Sequence, residues 1–145
     1  MKTSAMRLGT LGAVLVGMAG CGGGGGYGGP GGMPGGDPNM PMTATFSSIQ
    51  THVFTPICSA CHAGAAAPQG LKLDAANSYM MLVNVASAEV PSIKRVAPGD
   101  SANSYIVQKI EGHAAVGARM PFGGPYLDAT TIGLIRQWID NGAPR

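Results

Sequence analysis

Two cysteines and a histidine lie within five residues of this chain, in the run Cys58-Ser59-Ala60-Cys61-His62. If the run is helical, Cys58 and Cys61 lie on one face, where both sulfurs can form thioethers with the vinyl groups of one porphyrin. His62 follows directly, which places a ring nitrogen under the iron as the proximal axial ligand. The pattern therefore predicts covalently attached haem c and a fold built around that bulky group.

Two other kinds of site use a Cys-x-x-Cys pair. A structural zinc ion needs two further ligands, and the candidates elsewhere in the sequence, His52, His113 and Cys21, are scattered. A dithiol redox centre expects the pair after a strand in a βαβ unit, whereas a helical apolar pattern precedes it here. Both alternatives are disfavoured by these patterns and stay open.

The length of the chain leaves room for one small domain, and its charge bears on its partners. It has 145 residues, of which 45% are hydrophobic and only 11% charged. Without residues 1–20 the chain carries seven basic and seven acidic side chains. This balance gives no electrostatic case for a nucleic-acid partner.

The first 20 residues have the pattern of an export signal. Lys2 and Arg7 precede an uncharged run over residues 8–20, which is too short to span a bilayer but suits a signal-peptide core. The run ends in Met18-Ala19-Gly20-Cys21, which resembles the lipobox of bacterial lipoproteins. That resemblance implies that Cys21 is acylated and becomes the mature N-terminus, anchored to the membrane by lipid. The alternative is an ordinary secretory signal followed by an odd cysteine.

Residues 21–45 are rich in glycine and proline and lack apolar periodicity. Such a segment forms too few apolar contacts to offset the conformational entropy that it would lose on ordering. We therefore expect a disordered tether between the lipidated Cys21 and the domain. Together with the signal, the tether predicts an exported protein of the bacterial cell envelope, an outer-membrane or periplasm-facing lipoprotein.

Residues 46–145 are expected to form an all-α domain of four helices. Ser47 or Ser48 is a candidate N-cap of the first helix, and Pro56 is expected to break it just before the cysteine motif. Its apolar residues recur at helical intervals, and they are Phe46, Ile49, Val53 and Ile57.

The other three helices have start or stop signals of their own. Asp74 is a candidate cap for the second helix, whose apolar side chains over residues 79–82 should cover the core. The turn Pro98-Gly99-Asp100-Ser101 starts the third helix, which ends near Gly112. Asp128 caps the fourth, and Asn141-Gly142 stop it. The apolar stripe of this last helix is expected to pack across the first helix and comprises Ile132, Ile135, Trp138 and Ile139.

A loop between the last two helices contains a candidate sixth ligand. Glycines and prolines over residues 117–125 forbid regular structure. Met120 is followed by Pro121, which fixes the backbone and blocks a helix, so we expect this loop to deliver the Met120 sulfur to the iron. His113 is the rival ligand and predicts bis-histidine iron. Lys94 and Arg95 either approach the haem propionates or face water.

The order of these features resembles that of class I cytochromes c: an N-terminal helix ending in Cys-x-x-Cys-His, a methionine in a later loop and a C-terminal helix crossing the first. The resemblance covers residues 46–145. It is similar in detail to small cytochrome c-like domains of exported bacterial lipoproteins at residues 95–100, Ser104-Tyr105, Arg119-Met120-Pro121 and residues 135–139. It implies an all-α fold around one haem c, ligated by His62 and Met120.

Three classes of function follow from these expectations. The first is a one-electron carrier, not an enzyme, that exchanges electrons with redox partner proteins. The second is a haem-based enzyme or sensor in which the Met120 face opens to a small ligand. The third is a structural module that holds zinc or no cofactor.

Overall fold

A computed structural model describes residues 37–145 of the chain. Within this range the regular structure is helical, with two isolated β-bridges and no strand, which confirms the all-α class for the described residues. The predicted signal peptide, Cys21 and the glycine-rich residues up to 36 lie outside the described residues. The helices are α1 (Phe46–Ile49), which continues as a π-helical turn (Gln50–Phe54), α2 (Ser78–Leu82), α3 (Tyr105–Glu111) and α4 (Ala129–Asp140).

The N-cap of α1 is Thr45, so the prediction of Ser47 or Ser48 is wrong. The Thr45 hydroxyl accepts the Ser48 N–H at 3.3 Å. Ser48 lies inside the helix and is buried, and its hydroxyl accepts the N–H of Thr43 at 2.9 Å. The cap therefore falls two residues earlier than the nearest serine, because the serine oxygen is used by the segment that precedes the helix.

After its first turn, α1 widens into a π-helical turn. The N–H of Thr55 bonds to the carbonyl of Gln50 at 2.9 Å, five residues back. This spacing departs from 3.6 residues per turn, which changes the side chains that face the core. Phe54 is buried, whereas Ile57, predicted in the apolar stripe, is 37% exposed. Pro56 lies two residues after Phe54, where the π-helical turn ends, so the helix stops before the proline as predicted.

The N-cap of α2 is Asn77, so the prediction of Asp74 as its cap is wrong, and the helix starts four residues after Asp74. The Asp74 carboxylate accepts the Ala76 N–H at 3.2 Å and the Asn77 side-chain N–H at 2.7 Å, which builds a turn before the helix. Leu82 is fully buried, but Met80 is 64% exposed, so the prediction that Met80 covers the core is wrong. The apolar residues 79–82 are consecutive, and each residue of an α-helix is rotated by about 100° from the one before it, so their side chains cannot all face the core.

The last two helices follow their sequence signals. Gly112 ends α3 with φ +89°, which glycine adopts readily. Asp128 caps α4 by accepting the Thr131 N–H at 2.9 Å, and α4 packs against α3. It also meets α1, since the rings of Trp138 and Phe46 lie 5.7 Å apart. The predicted stripe of α4 is buried, and it comprises Ile132, Ile135, Trp138 and Ile139.

The packed region extends to the N-terminal side of Phe46. Met42 and Ala44 lie against the core. A ring nitrogen of His52 is 3.0 Å from the Met40 carbonyl, which ties the same segment to the π-helical turn. The chain that leads into the domain is therefore fixed by contacts from about residue 40 onward.

No helix within residues 37–145 combines the length and the apolar character needed to cross a bilayer.

Candidate metal centre

The cysteine motif is a single 3₁₀ turn that follows Pro56. The carbonyl of Cys58 accepts two N–H groups, that of His62 at 2.9 Å and that of Cys61 at 3.2 Å. The backbone therefore holds both thiols and the imidazole on one short turn. Cys58 is half-buried and packs against the core, Cys61 is exposed, and neither thiol is in a disulfide.

The two thiols differ in their surroundings. Burial raises the pKa of the Cys58 thiol to about 12, because the thiolate is poorly solvated against the apolar core. A dithiol redox centre needs a thiolate at neutral pH, supported by nearby positive charge or a helix N-terminus. The Cys58 environment does the opposite, so it disfavours the dithiol alternative.

The imidazole of His62 is fixed by the segment that follows it in the chain. Its Nδ1 lies 3.2 Å from the carbonyl oxygen of Leu71. A carbonyl oxygen only accepts, so Nδ1 is the donor, and in the neutral ring Nε2 keeps its lone pair. The Leu73 N–H donates to the His62 carbonyl at 2.7 Å. The ring is thus set in the tautomer that binds a metal through Nε2, with its other nitrogen supported by a backbone acceptor.

The described residues do not form a tetrahedral metal site. No group of three or more His, Cys, Asp or Glu side chains within residues 37–145 is arranged to hold a metal ion. The described residues therefore offer no zinc site of the kind that the alternative requires, and Cys21, another candidate ligand, lies outside them.

Met120 lies on the core side of its loop. It is half-buried and packs against the same apolar core as Cys58 and Leu71. Its N–H donates to the carbonyl of Lys109 in α3 at 2.9 Å. The loop has no regular structure at Met120, as predicted, and yet the position of this residue is fixed by a main-chain bond.

A buried ion pair supports the same loop. The Lys109 ammonium lies 3.0 Å from a Glu89 carboxylate oxygen and donates to the Val116 carbonyl at 3.2 Å. The Tyr105 hydroxyl donates to the same carbonyl at 2.8 Å. Gly117 has φ +74°, a conformation that favours glycine, and a Cβ atom there would collide with the Lys109 ammonium and a Glu89 carboxylate oxygen. A side chain at this position would therefore have to displace the ion pair.

His113 lies at the surface beyond the end of α3. Its side chain is 58% exposed, and its Nδ1 is 3.6 Å from a carboxylate oxygen of Glu111. Glu111 also accepts a hydrogen bond from Arg136 at 2.9 Å. The rival ligand therefore faces a carboxylate at the surface, in contrast to the core-facing Met120.

Lys94 and Arg95 contact protein acceptors. The Arg95 guanidinium donates to the carbonyls of Met81 and Gln69, each at 2.9 Å. Lys94 donates to the Asn84 side chain at 2.8 Å. Arg95 thus links α2 to the loop after the cysteine motif, a role that neither sequence-based interpretation included.

Two groups that position His62 were not predicted from the sequence. The Leu71 acceptor is a backbone carbonyl, and no residue type encodes it. Gln50 contacts the segment that bears this carbonyl, and its buried position could have been predicted. It lies four residues after Phe46, on the buried face of the first helix. A polar residue within an apolar stripe indicates a buried hydrogen-bonding role.

Comparisons of the chain with protein-family models, with curated proteins and with solved structures give no match.

Proposed function

We propose that this chain is a monohaem c-type cytochrome that carries single electrons between redox partner proteins. The observation that carries the proposal is the hydrogen bond from the Nδ1 of His62 to the Leu71 carbonyl, on the turn that bears two unbridged thiols. In the neutral ring this bond leaves Nε2 as the nitrogen that can bind a metal. A covalent haem needs this set of donors: two thiols for thioether bonds and an adjacent imidazole of fixed tautomer.

The residues present fit haem c as donors. Cys58 and Cys61 would form the two thioethers, His62 would bind the iron through Nε2, and Met120 would supply the sixth ligand. Haem supplies one-electron chemistry, in which the iron alternates between ferric and ferrous states as one electron arrives from a donor protein and leaves to an acceptor protein.

Met120 is favoured over His113 as the sixth ligand. Met120 packs against the core that also receives Cys58, whereas His113 is mostly exposed beside Glu111. A methionine sulfur favours ferrous iron and gives a higher potential than bis-histidine ligation. If His62 and Met120 both bound the iron, no position would remain for a substrate, and the chain would act as a carrier and not as an enzyme.

Covalent haem is tested by the intact mass of protein matured in a host competent for cytochrome c maturation. We expect the mass of one haem on the wild type, and none on the double variant Cys58→Ala, Cys61→Ala. Ser59→Ala is the matched control within the same turn and should keep its haem. Wild-type protein without the added mass would contradict the proposal.

We also propose that lipid on Cys21 tethers the domain to a membrane. The support is the sequence pattern, a signal-like run that ends at Cys21 before a glycine-rich segment. Cys21→Ser should release the protein from the membrane fraction into the soluble fraction. A wild type found entirely in the soluble fraction would show that the lipid is absent.

A further inference from the structure

Gln50 is a buried polar residue whose side-chain amide is fully hydrogen-bonded. It lies in the π-helical turn and is only 7% exposed. Its Nε2 donates to the Leu73 carbonyl at 3.0 Å and to the Thr55 hydroxyl at 3.1 Å. Its Oε1 accepts from the buried Ser78 hydroxyl. The Leu73 carbonyl only accepts, so this contact fixes which end of the amide faces it.

These bonds join the chain on both sides of the cysteine motif. Thr55 lies just before the motif, Leu73 follows it, and Ser78 is the first residue of α2. Residues 71–73 have no regular secondary structure. Side-chain and tertiary contacts therefore set the position of these residues. The hydrogen bond from the buried Gln50 amide to the Leu73 carbonyl is one of these contacts.

The same short segment holds His62 at two points. The Leu71 carbonyl accepts from the His62 ring, and the Leu73 N–H donates to the His62 carbonyl. Leu73 is thus bonded through its carbonyl to Gln50 and through its N–H to His62. A displacement of the segment at Gln50 would move both contacts with His62.

We propose that Gln50 is the positioning residue of the axial histidine: it holds residues 71–73 so that the Leu71 carbonyl fixes the proton and the orientation of the His62 ring. The inference rests on the proposed function, since ring orientation matters to the iron only if His62 binds it. A hydrogen bond from Nδ1–H to an acceptor makes the imidazole a stronger donor through Nε2. A stronger donor stabilises ferric iron and lowers the potential.

The first test is Gln50→Met in the full-length, haem-loaded protein, since methionine has a similar length but cannot bond to Leu73. We expect the Leu73 amide to exchange its hydrogen at least about tenfold faster relative to the Ile135 amide in α4, because a buried hydrogen bond is lost locally. The midpoint potential should rise, because the His62 ring loses its fixed acceptor.

A matched control separates positioning from general loss of stability. Val107 is a fully buried residue of α3 whose side chain makes only apolar contacts. Val107→Ala should accelerate exchange at Leu73 and Ile135 alike and leave the potential unchanged. Ser78→Ala is the milder second variant: it removes the donor to the Gln50 carbonyl oxygen, keeps the bond to Leu73, and should produce smaller shifts of the same sign.

The results decide whether Gln50 positions His62 or has a structural role only. Faster Leu73 exchange with an unchanged potential would show that Gln50 is structural only, which overturns the positioning role. Unchanged exchange in both variants would show that Gln50 does not hold the segment. If Gln50→Met fails to fold, the Ser78→Ala values of exchange and potential decide. A wild type without covalent haem overturns the proposed function itself, and its mass reveals this before any potential is measured.

Discussion

The carbonyl oxygen of Lys109 accepts the N–H of Met120 at 2.9 Å, while the ammonium of the same lysine pairs with Glu89 at 3.0 Å. One residue of α3 therefore holds the Met120 loop by its main chain and supports it by its side chain. The ammonium also reaches the Val116 carbonyl in the first half of the loop. Because Met120 lies in a stretch without regular structure, its position depends on tertiary contacts, and its bond to Lys109 in α3 is one of them.

Removing the negative charge of this pair should destabilise the domain. The side chains of Lys109 and Glu89 are only 10% and 18% exposed, so Glu89→Ala leaves an ammonium largely buried without a counter-charge. We expect a loss of about 2–4 kcal/mol in the free energy of unfolding, measured with urea.

The control is Glu111→Ala, which breaks an ion pair at the surface. Its partner Arg136 is 35% exposed, so the expected loss is under about 1 kcal/mol. Equal losses for the two variants would show that the Glu89 pair contributes no more than a solvent-exposed one.

The two thiols of the motif should differ in reactivity when no haem is attached. Burial raises the pKa of Cys58 to about 12, which lowers its thiolate fraction at pH 8 by on the order of a thousandfold relative to an ordinary thiol. Cys61 is exposed. Alkylation of the haem-free protein, followed by peptide mass spectrometry, should therefore label Cys61 long before Cys58. Equal labelling rates would contradict the buried environment of Cys58.

Local sequence signals predicted the last two helices well. Asp128 supplies the cap of α4, Gly112 supplies the left-handed residue that ends α3, and the i, i+3, i+7 spacing of the α4 isoleucines identifies its buried face. These signals act within one or two turns of helix, so they need no knowledge of the rest of the chain. The sequence likewise identified Cys58, Cys61 and His62 as candidate site residues, because the Cys-x-x-Cys-His spacing is itself the pattern that indicates this kind of site.

Features that depend on tertiary contacts were not predictable. Thr45 replaces the expected serines as cap because Thr43 engages Ser48. The π-helical turn moves Ile57 out of the buried stripe, and α2 starts late, with Met80 exposed. The acceptor of the His62 ring is a main-chain oxygen nine residues away. No residue type along the sequence marks such a contact.

The cap of α4 should make stability depend on pH in the acid range. Hydrogen bonds from the N–H and the hydroxyl of Thr131 lower the pKa of the Asp128 carboxyl below its usual value. The folded state therefore binds this proton less readily than the unfolded state. The stabilisation is complete above the unfolded pKa of about 3.9 and is lost as the pH falls through the lower, folded value.

Asp128→Ala should consequently lower the melting temperature by a few degrees at pH 7, and the difference from the wild type should shrink towards pH 2. Asp128→Asn keeps a capping oxygen but has no carboxyl group to titrate. The part of the fall in melting temperature at low pH that comes from protonation of Asp128 should therefore be absent in this variant. Thermal unfolding followed by circular dichroism measures both. A difference between Asp128→Ala and the wild type that is as large at pH 2 as at pH 7 would rule out the carboxylate as its source.

Replacing Met120 should change the iron without releasing the haem. In the proposed cytochrome, Met120→Ala does not alter the thioethers that Cys58 and Cys61 would form, so the intact mass should keep one haem. The sulfur-to-iron charge-transfer band expected in the ferric wild type should vanish, and the potential should fall, because a soft ligand that favours ferrous iron is lost. Carbon monoxide should bind the reduced variant rapidly and the reduced wild type poorly, since only the variant has an open position.

His113→Ala is the control in the same loop, and it should leave the band, the potential and carbon monoxide binding unchanged. His113 is mostly exposed and faces Glu111, whereas Met120 packs against the core and is bonded to Lys109. Loss of the low-spin ferric spectrum in the His113 variant, with its retention in the Met120 variant, would identify bis-histidine iron. Rapid carbon monoxide binding by the wild type would instead indicate an open iron site, as in a haem-based enzyme or sensor, and Met120 would then be a core residue alone.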